Sequence, residues 1–155
     1  MRIEYFELIS RVEELDLTSG TIRATGNIPT DCTIFEGHFP GHPIMPGVLL
    51  IESMAQTSGH IILAANNYSA MPFLAGVRNA KLRQFVAPGS KITVTAHLEH
   101  LGSAYAGTRA DVTCEGKKVA EAEIRFATMA FPNDAMKATM LDLVRRLGVR
   151  VPATS

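Results

Sequence analysis

Two side chains and two backbone amides in this sequence are of the types that together perform an elimination beside a carbonyl group. His38 carries an imidazole, the side chain best suited to taking up a proton near neutrality. Glu52 is a lone carboxylate in an apolar run, where desolvation disfavours its charged form and predicts a neutral, proton-donating acid. Gln56 lies one helical turn further on, at i, i+4, where its amide can hold that carboxyl group or a water beside it. Gly47 and Val48 follow Pro46 at an expected helix start, so their amides lack partners and can stabilise negative charge growing on a carbonyl oxygen. A base and an acid whose environments separate their proton affinities are what an elimination requires. Taken singly, His38 also reads as a loop histidine making an ordinary hydrogen bond, and Glu52 as an ion-paired structural carboxylate. His42 and His60 read as structural, because neither has a ligand-spaced Cys, Asp or Glu that suggests zinc. The methionines read as core filler.

The elements that must position these groups are legible in the same stretch, FEGHFPGHPIMPGVLLIESMAQ, residues 35–56. Its prolines fix φ and its glycines allow close approach, which predicts a rigid loop over 37–47. From Val48 to Ala65 the chain is apolar around almost the whole 3.6-residue period, as a helix wrapped on every side is. Upstream, Tyr5–Leu17, the turn Thr18-Ser19-Gly20 and Thr21–Ile28 read as a hairpin or two adjacent strands. Downstream, Phe73–Val86, Lys91–Leu101, Tyr105–Cys114 and Lys118–Ala130 read as strands separated by turns at Pro88-Gly89, Gly102-Ser103 and Glu115-Gly116, which predicts an antiparallel meander. Beyond Asn133-Asp134, a helix cap, Met136, Met140, Leu143, Val144 and Leu147 form one apolar stripe. The economical packing is α+β: an antiparallel sheet curled around a long central helix, the hotdog arrangement, with an extra C-terminal amphipathic helix. Open sheet edges in such a fold predict a dimer with a continuous sheet.

Charge and composition narrow the function classes. Fifteen basic residues balance fifteen acidic ones, so no global field draws the chain to nucleic acid or an anionic membrane. The long apolar run is broken by Glu52, Gln56 and His60, which marks a core helix and not a membrane span. Cys32 and Cys114 stand far apart, and no leader-like segment opens the chain, so the expected setting is a reduced cytoplasm with two inert thiols.

The stretch FEGHFPGHPIMPGVLLIESMAQTSG resembles the signature of the FabZ-type (3R)-hydroxyacyl-[acyl-carrier-protein] dehydratases: a Gly-His-Phe-Pro-Gly loop, Met-Pro-Gly-Val-Leu and Glu-x-Met-Ala-Gln. Ser10-Arg11-Val12 resembles the family's Asp-Arg-Val strand, and PFLAGVRNAKLRQFVAPGSKI its Leu-Ala-Gly segment and Pro-Gly turn. The resemblance covers roughly residues 5–130. It implies a hotdog domain over 1–132, a homodimer whose active sites are shared between subunits, and, commonly, a hexamer of three dimers. His38 would remove the C2 proton of a 3-hydroxyacyl thioester, and Glu52 of the other subunit would help the C3 hydroxyl leave as water. The Gly47 amide would polarise the thioester carbonyl, with Val48 and Gln56 supporting the site. The partner implied is acyl carrier protein, met through local basic residues such as Arg78, Lys81 and Arg83. No metal or organic cofactor is implied.

The sequence departs from that pattern in two places. The usual N-terminal helix and its His-Arg-(Tyr/Phe)-Pro-Phe-Leu tract are replaced by MRIEYFEL, which leaves open what covers the acyl tunnel there. Residues 133–155 form a helical extension, whose stripe is expected to pack on the outer face of the sheet or a neighbouring subunit. The related FabA-type enzymes carry Asp where Glu52 stands, so isomerase activity is not expected. The rival readings are a hotdog acyl thioesterase, disfavoured by the GHFPG loop, and a non-catalytic acyl-binding hotdog, which predicts loss of the His or the Glu.

Overall fold

A short 3-10 turn, Ile3–Tyr5, opens the computed structural model, which describes residues 1–151. The first strand, β1, is Arg11–Asp16, and not the longer Tyr5–Leu17 run expected. The reason lies in residues 6–8, whose backbone is drawn elsewhere: the Gln56 side chain accepts from Leu8 N at 2.9 Å and donates to Phe6 O at 2.7 Å. Phe6 takes a left-handed conformation, φ 59°, to make that turn. Strand β2, Thr21–Asn27, pairs antiparallel with β1. A helix of five residues, α1 (Thr33–Gly37), follows and was not anticipated; it ends at His38.

The central helix, α2, spans Gly47–Ala65. Strands β3 (Ala70–Leu82), β4 (Lys91–Leu101), β5 (Tyr105–Cys114) and β6 (Lys117–Ala130) complete one six-stranded antiparallel sheet in the order β1-β2-β4-β5-β6-β3. Only β4-β5-β6 form a meander. Pro88-Gly89 is not a hairpin turn: it lies in a crossover that carries the chain from β3, at one edge, to β4 beside β2. Val86 lies in that connection, where its carbonyl accepts from Met45 N at 2.8 Å, so it ties the crossover to the loop before α2 instead of extending β3.

Helix α2 packs against β2 through β6. The sheet face beneath it is built of alternate inward residues, Ile92, Val94 and Ala96 on β4 and Ala106, Ala110 and Val112 on β5, all buried. The small side chains among them let the helix approach closely. Polar groups trapped there are satisfied: Thr108 Oγ1 donates to Ser58 Oγ at 2.8 Å, and Thr57 Oγ1 to Ser53 O at 2.8 Å. The helix is not wrapped on every side within one chain, for Val48 is 69% exposed and Glu52, Gln56 and Gly59 are only half-buried.

Helix α3, Asp134–Arg146, is capped by Asn133, whose side chain accepts from Met136 N at 2.8 Å. Its stripe does not lie on the outer face of the sheet. Leu141 and Val144 bury against Leu63 and Tyr68 at the end of α2, and Leu147 joins the main core. The opposite outcome would have left the α2 flank and the α3 stripe both wet, so the two apolar surfaces cover each other. Residues 152–155 of the expected 133–155 extension lie outside the described residues.

The two sheet edges differ. On β1, Arg11, Glu13 and Glu14 are exposed, a bulge falls between Val12 and Glu14, and Val12 N donates to Leu147 O at 2.8 Å. On β3, Phe73, Leu74, Val77 and Leu82 are exposed along a thirteen-residue strand.

Candidate active site

His38 sits at the C-terminal end of α1, half-buried, and its backbone is fixed on both sides: His38 N donates to Ile34 O at 3.0 Å and Ile44 N to His38 O at 2.9 Å. Its ring is fixed as well. Nδ1 lies 3.1 Å from Ile44 O, and a carbonyl can only accept, so Nδ1 carries the hydrogen and Nε2 is left with a lone pair. The loop 37–47 therefore does more than present an imidazole, since it selects the tautomer in which one nitrogen is a free base.

The same loop delivers the start of α2. Pro46 has no N–H and no side chain caps the helix, so the amides of Gly47 and Val48 begin it without a side-chain partner. Gly47 lines a cleft of about 390 Å³ together with His38, Phe39, Leu82, Arg83 and Phe85. A methyl group at position 47 would run into the Leu82 Cδ1 atom, the end of an exposed side chain that would have to move aside. Val48 is exposed at the first turn and does not line that cleft.

Glu52 and Gln56 open elsewhere. Five residues along a helix turn the side-chain direction by about 140°, so Glu52 points away from the side Gly47 occupies. Gln56 Nε2 donates to Glu52 Oε1 at 3.0 Å while the same amide holds Phe6 and Leu8, so the group that orients the carboxyl is itself anchored to the N-terminal segment. Both residues line a second cavity, of about 300 Å³, walled by α2, the N-terminal segment, β3 and α3. Within one chain the structure thus brings His38 to Gly47 and Glu52 to Gln56, and places the two pairs in separate openings.

Of the basic residues considered for a carrier protein, Lys81 and Arg83 both pair with Glu121, at 3.6 and 2.6 Å. Hydrogen bonds from Arg83 and then Lys118 hold the Glu121 carboxyl below the usual carboxylate range. Arg78 makes no ion pair among the described residues.

His60 was read as structural, and its setting is more particular than that. It follows Gln56 by one turn on the same helix face, lines the 300 Å³ cavity and is 7% exposed. Its Nδ1 has no hydrogen-bond partner among the described residues. Burial pushes the imidazole down to about 4. Spacing to metal-ligand residues could not reveal this; the i, i+4, i+8 series Glu52, Gln56, His60 was the available signal.

Residues 2–123 match the family model of the FabA-like domain. The 3-hydroxyacyl-[acyl-carrier-protein] dehydratase FabZ of Clostridium acetobutylicum is 39% identical over 122 residues, 77% of this chain and 84% of that protein. The protein of the same name from Protochlamydia amoebophila is 37% identical over 121 residues, 78% of this chain and 79% of that protein. Among solved structures, a conserved protein of Pseudomonas aeruginosa superposes with a TM-score of 0.64 at 20% identity, covering 81% of this chain and 93% of that one. A hypothetical thioesterase of Streptococcus pneumoniae, solved with coenzyme A, gives 0.60 at 13% identity, covering 79% and 88%. At such identities the structural likenesses establish the fold alone.

Proposed function

The chain belongs to the FabA-like family, and from that premise we propose that it is a 3-hydroxyacyl-[acyl-carrier-protein] dehydratase, a hydro-lyase of fatty acid or specialised lipid biosynthesis, whose active site is completed by a second copy of the chain. The observation that carries the reading is the split of the site: a tautomer-fixed base beside bare helix-start amides in one opening, and a Gln-oriented carboxyl group in another. Neither half can perform the elimination alone. Two chains related by a two-fold axis would bring each half of one to the complementary half of the other.

In that site His38 Nε2 takes the C2 proton of the 3-hydroxyacyl thioester, and the C2–H electron pair becomes the C2=C3 double bond. The C3–O bond breaks as Glu52 gives its proton to the departing hydroxyl, which leaves as water. Charge that gathers on the thioester oxygen is met by the Gly47 amide, with the Val48 amide and the helix dipole behind it. A proton returned from the imidazolium to the carboxylate restores the resting state. Gln56 positions the acid, with both of its amide hydrogens already given to Glu52 Oε1 and Phe6 O.

The dimer is supported by the β3 edge, where a strand paired only with β6 exposes a row of apolar side chains. Three such dimers would form the hexamer that the resemblance implies. The acyl chain is delivered on the phosphopantetheine of an acyl carrier protein, for which Arg78 is the better-placed contact because Lys81 and Arg83 are shared with Glu121. We take residues 1–132 as the dehydratase domain and 133–155 as its extension, of which the described part, to residue 151, packs on the domain through α3. We place the protein in the cytoplasm; among the described residues the one helix apolar and long enough to cross a membrane, α2, is a core helix.

The test is an absorbance assay for interconversion of 3-hydroxybutyryl and crotonyl thioesters. Wild type is expected to interconvert them, and His38→Ala and Glu52→Gln each to lose on the order of a hundred-fold or more in kcat/KM. Release of free thiol without enoyl product would instead assign a thioesterase. Full activity in either variant would remove the proposed chemistry.

A further inference from the structure

The cavity that holds Glu52 is apolar along most of its wall but not at its far end. Glu52, Gln56 and His60 share one face of α2, and eight residues of helix place His60 roughly 12 Å along the axis from Glu52. Most of the remaining lining is apolar, Leu63, Met71, Pro72 and Phe126 among it, with Met140 and Leu143 contributed by α3. An imidazole 7% exposed among such groups, with Nδ1 unpartnered, is costly unless something in the cavity supplies the missing hydrogen bond. The two polar neighbours on its own helix face do not do so: both amide hydrogens of Gln56 are taken by Phe6 O and Glu52 Oε1, its oxygen is turned to Leu8 N, and Glu52 lies two turns away. Glu7, the other charged group in the lining, is drawn towards Arg2 and Arg146, at 3.7 and 3.9 Å.

We propose that His60 is a specificity-determining residue that hydrogen-bonds an oxygen substituent, a hydroxyl or a keto group, on the outer half of the acyl chain, so that the cavity selects oxygenated acyl chains over plain alkyl ones. The inference rests on the dehydratase reading for the identity of the occupant as an acyl thioester. It needs no change in the chemistry at C2 and C3, which occurs at the Glu52 end. Burial keeps the ring neutral at physiological pH, and a neutral imidazole has both a donor and an acceptor, so it can serve either kind of oxygen. A plain chain would fill the same volume and leave the nitrogen without a partner.

The test uses acyl N-acetylcysteamine thioesters without the 3-hydroxyl group, so that no elimination can occur, and measures binding by titration calorimetry. Decanoyl and dodecanoyl chains bearing a hydroxyl at successive outer carbons are compared with the unsubstituted chains. Wild type is expected to bind one hydroxylated position about ten-fold more tightly than the plain chain. His60→Leu should abolish that preference and favour the plain chain, while His60→Gln, which keeps a neutral donor and acceptor, should retain much of it. Equal affinities across the series in wild type, or a preference that survives in His60→Leu, would overturn the proposal even if either variant proved difficult to fold. Failure of wild type to interconvert 3-hydroxyacyl and enoyl thioesters at every chain length from four to twelve carbons, plain or outer-hydroxylated, with a positional preference intact, would remove the dehydratase reading and leave this selectivity standing.

Discussion

At the scale of single residues, the site depends on hydrogen bonds that leave the right atoms free. Ile44 O occupies one nitrogen of His38 and so releases the other, and Gln56 gives one amide hydrogen to Glu52 while the rest of its amide is anchored on Phe6 and Leu8. Gln56→Ala should therefore act through position and not through contact with substrate: kcat is expected to fall about ten-fold with little change in KM. The same change leaves the Leu8 amide without its acceptor, which should cost about 1–3 kcal/mol in urea denaturation. His60 gives a distinct pH signature. Its folded-state value, about 4, lies below the ordinary 6.5 because burial disfavours the charged ring. The unfolded chain then binds a proton that the native chain refuses, so the contribution is fully present above pH 6.5 and is lost as pH falls from there to about 4. The loss amounts to about 3 kcal/mol. Stability curves measured between pH 7 and 4 should be flatter for His60→Leu than for wild type by about that amount.

At the scale of elements, α3 does the work of a wall. It closes the flank of α2 that carries Glu52, Gln56 and His60, contributing Met140, Leu143 and Leu147 to the cavity wall or its edge. Asn133→Ala should cost about 1 kcal/mol through loss of the cap. Leu141→Ala should cost about 2–5 kcal/mol, because the Leu141 side chain is 5% exposed against Leu63 and Tyr68. Calorimetric unfolding of both variants checks these values, and the second should also raise KM for long chains more than for short ones. The stripe of α3 and its cap were legible in the sequence because each is a local pattern. Where the stripe docks was not, since the α2 flank looks like part of a helix covered all round when read by composition. In the same way β1 was overread at its N-terminal end, because nothing local tells that Leu8 and Phe6 bond to a glutamine 48 and 50 residues away. The Pro88-Gly89 turn looked like a hairpin because turn chemistry fixes a bend and not the neighbour to which the chain goes. His38, Gly47, Glu52 and Gln56 were legible for the opposite reason, as one contiguous stretch holds them all.

At the scale of the whole molecule, the proposed dimer makes a prediction independent of any single contact. His38→Ala and Glu52→Gln, each inactive alone, should complement when the two proteins are mixed, unfolded and refolded together. Half of the resulting dimers would contain one chain of each kind, and each of these would have one intact site of two, so roughly one quarter of wild-type activity should return. No recovery would mean that base and acid come from the same chain. The unequal sheet edges carry a further consequence. Pairing through β3 uses up the open apolar edge of both six-stranded sheets and leaves a charged, bulged β1 at each end of the joined one. Growth by strand addition stops there. If the proposed dimer forms, the fold is a self-terminating building block, safe from fibre formation at high concentration only while the pair holds, and dissociation would be the step at which a crowded solution becomes a colloidal risk.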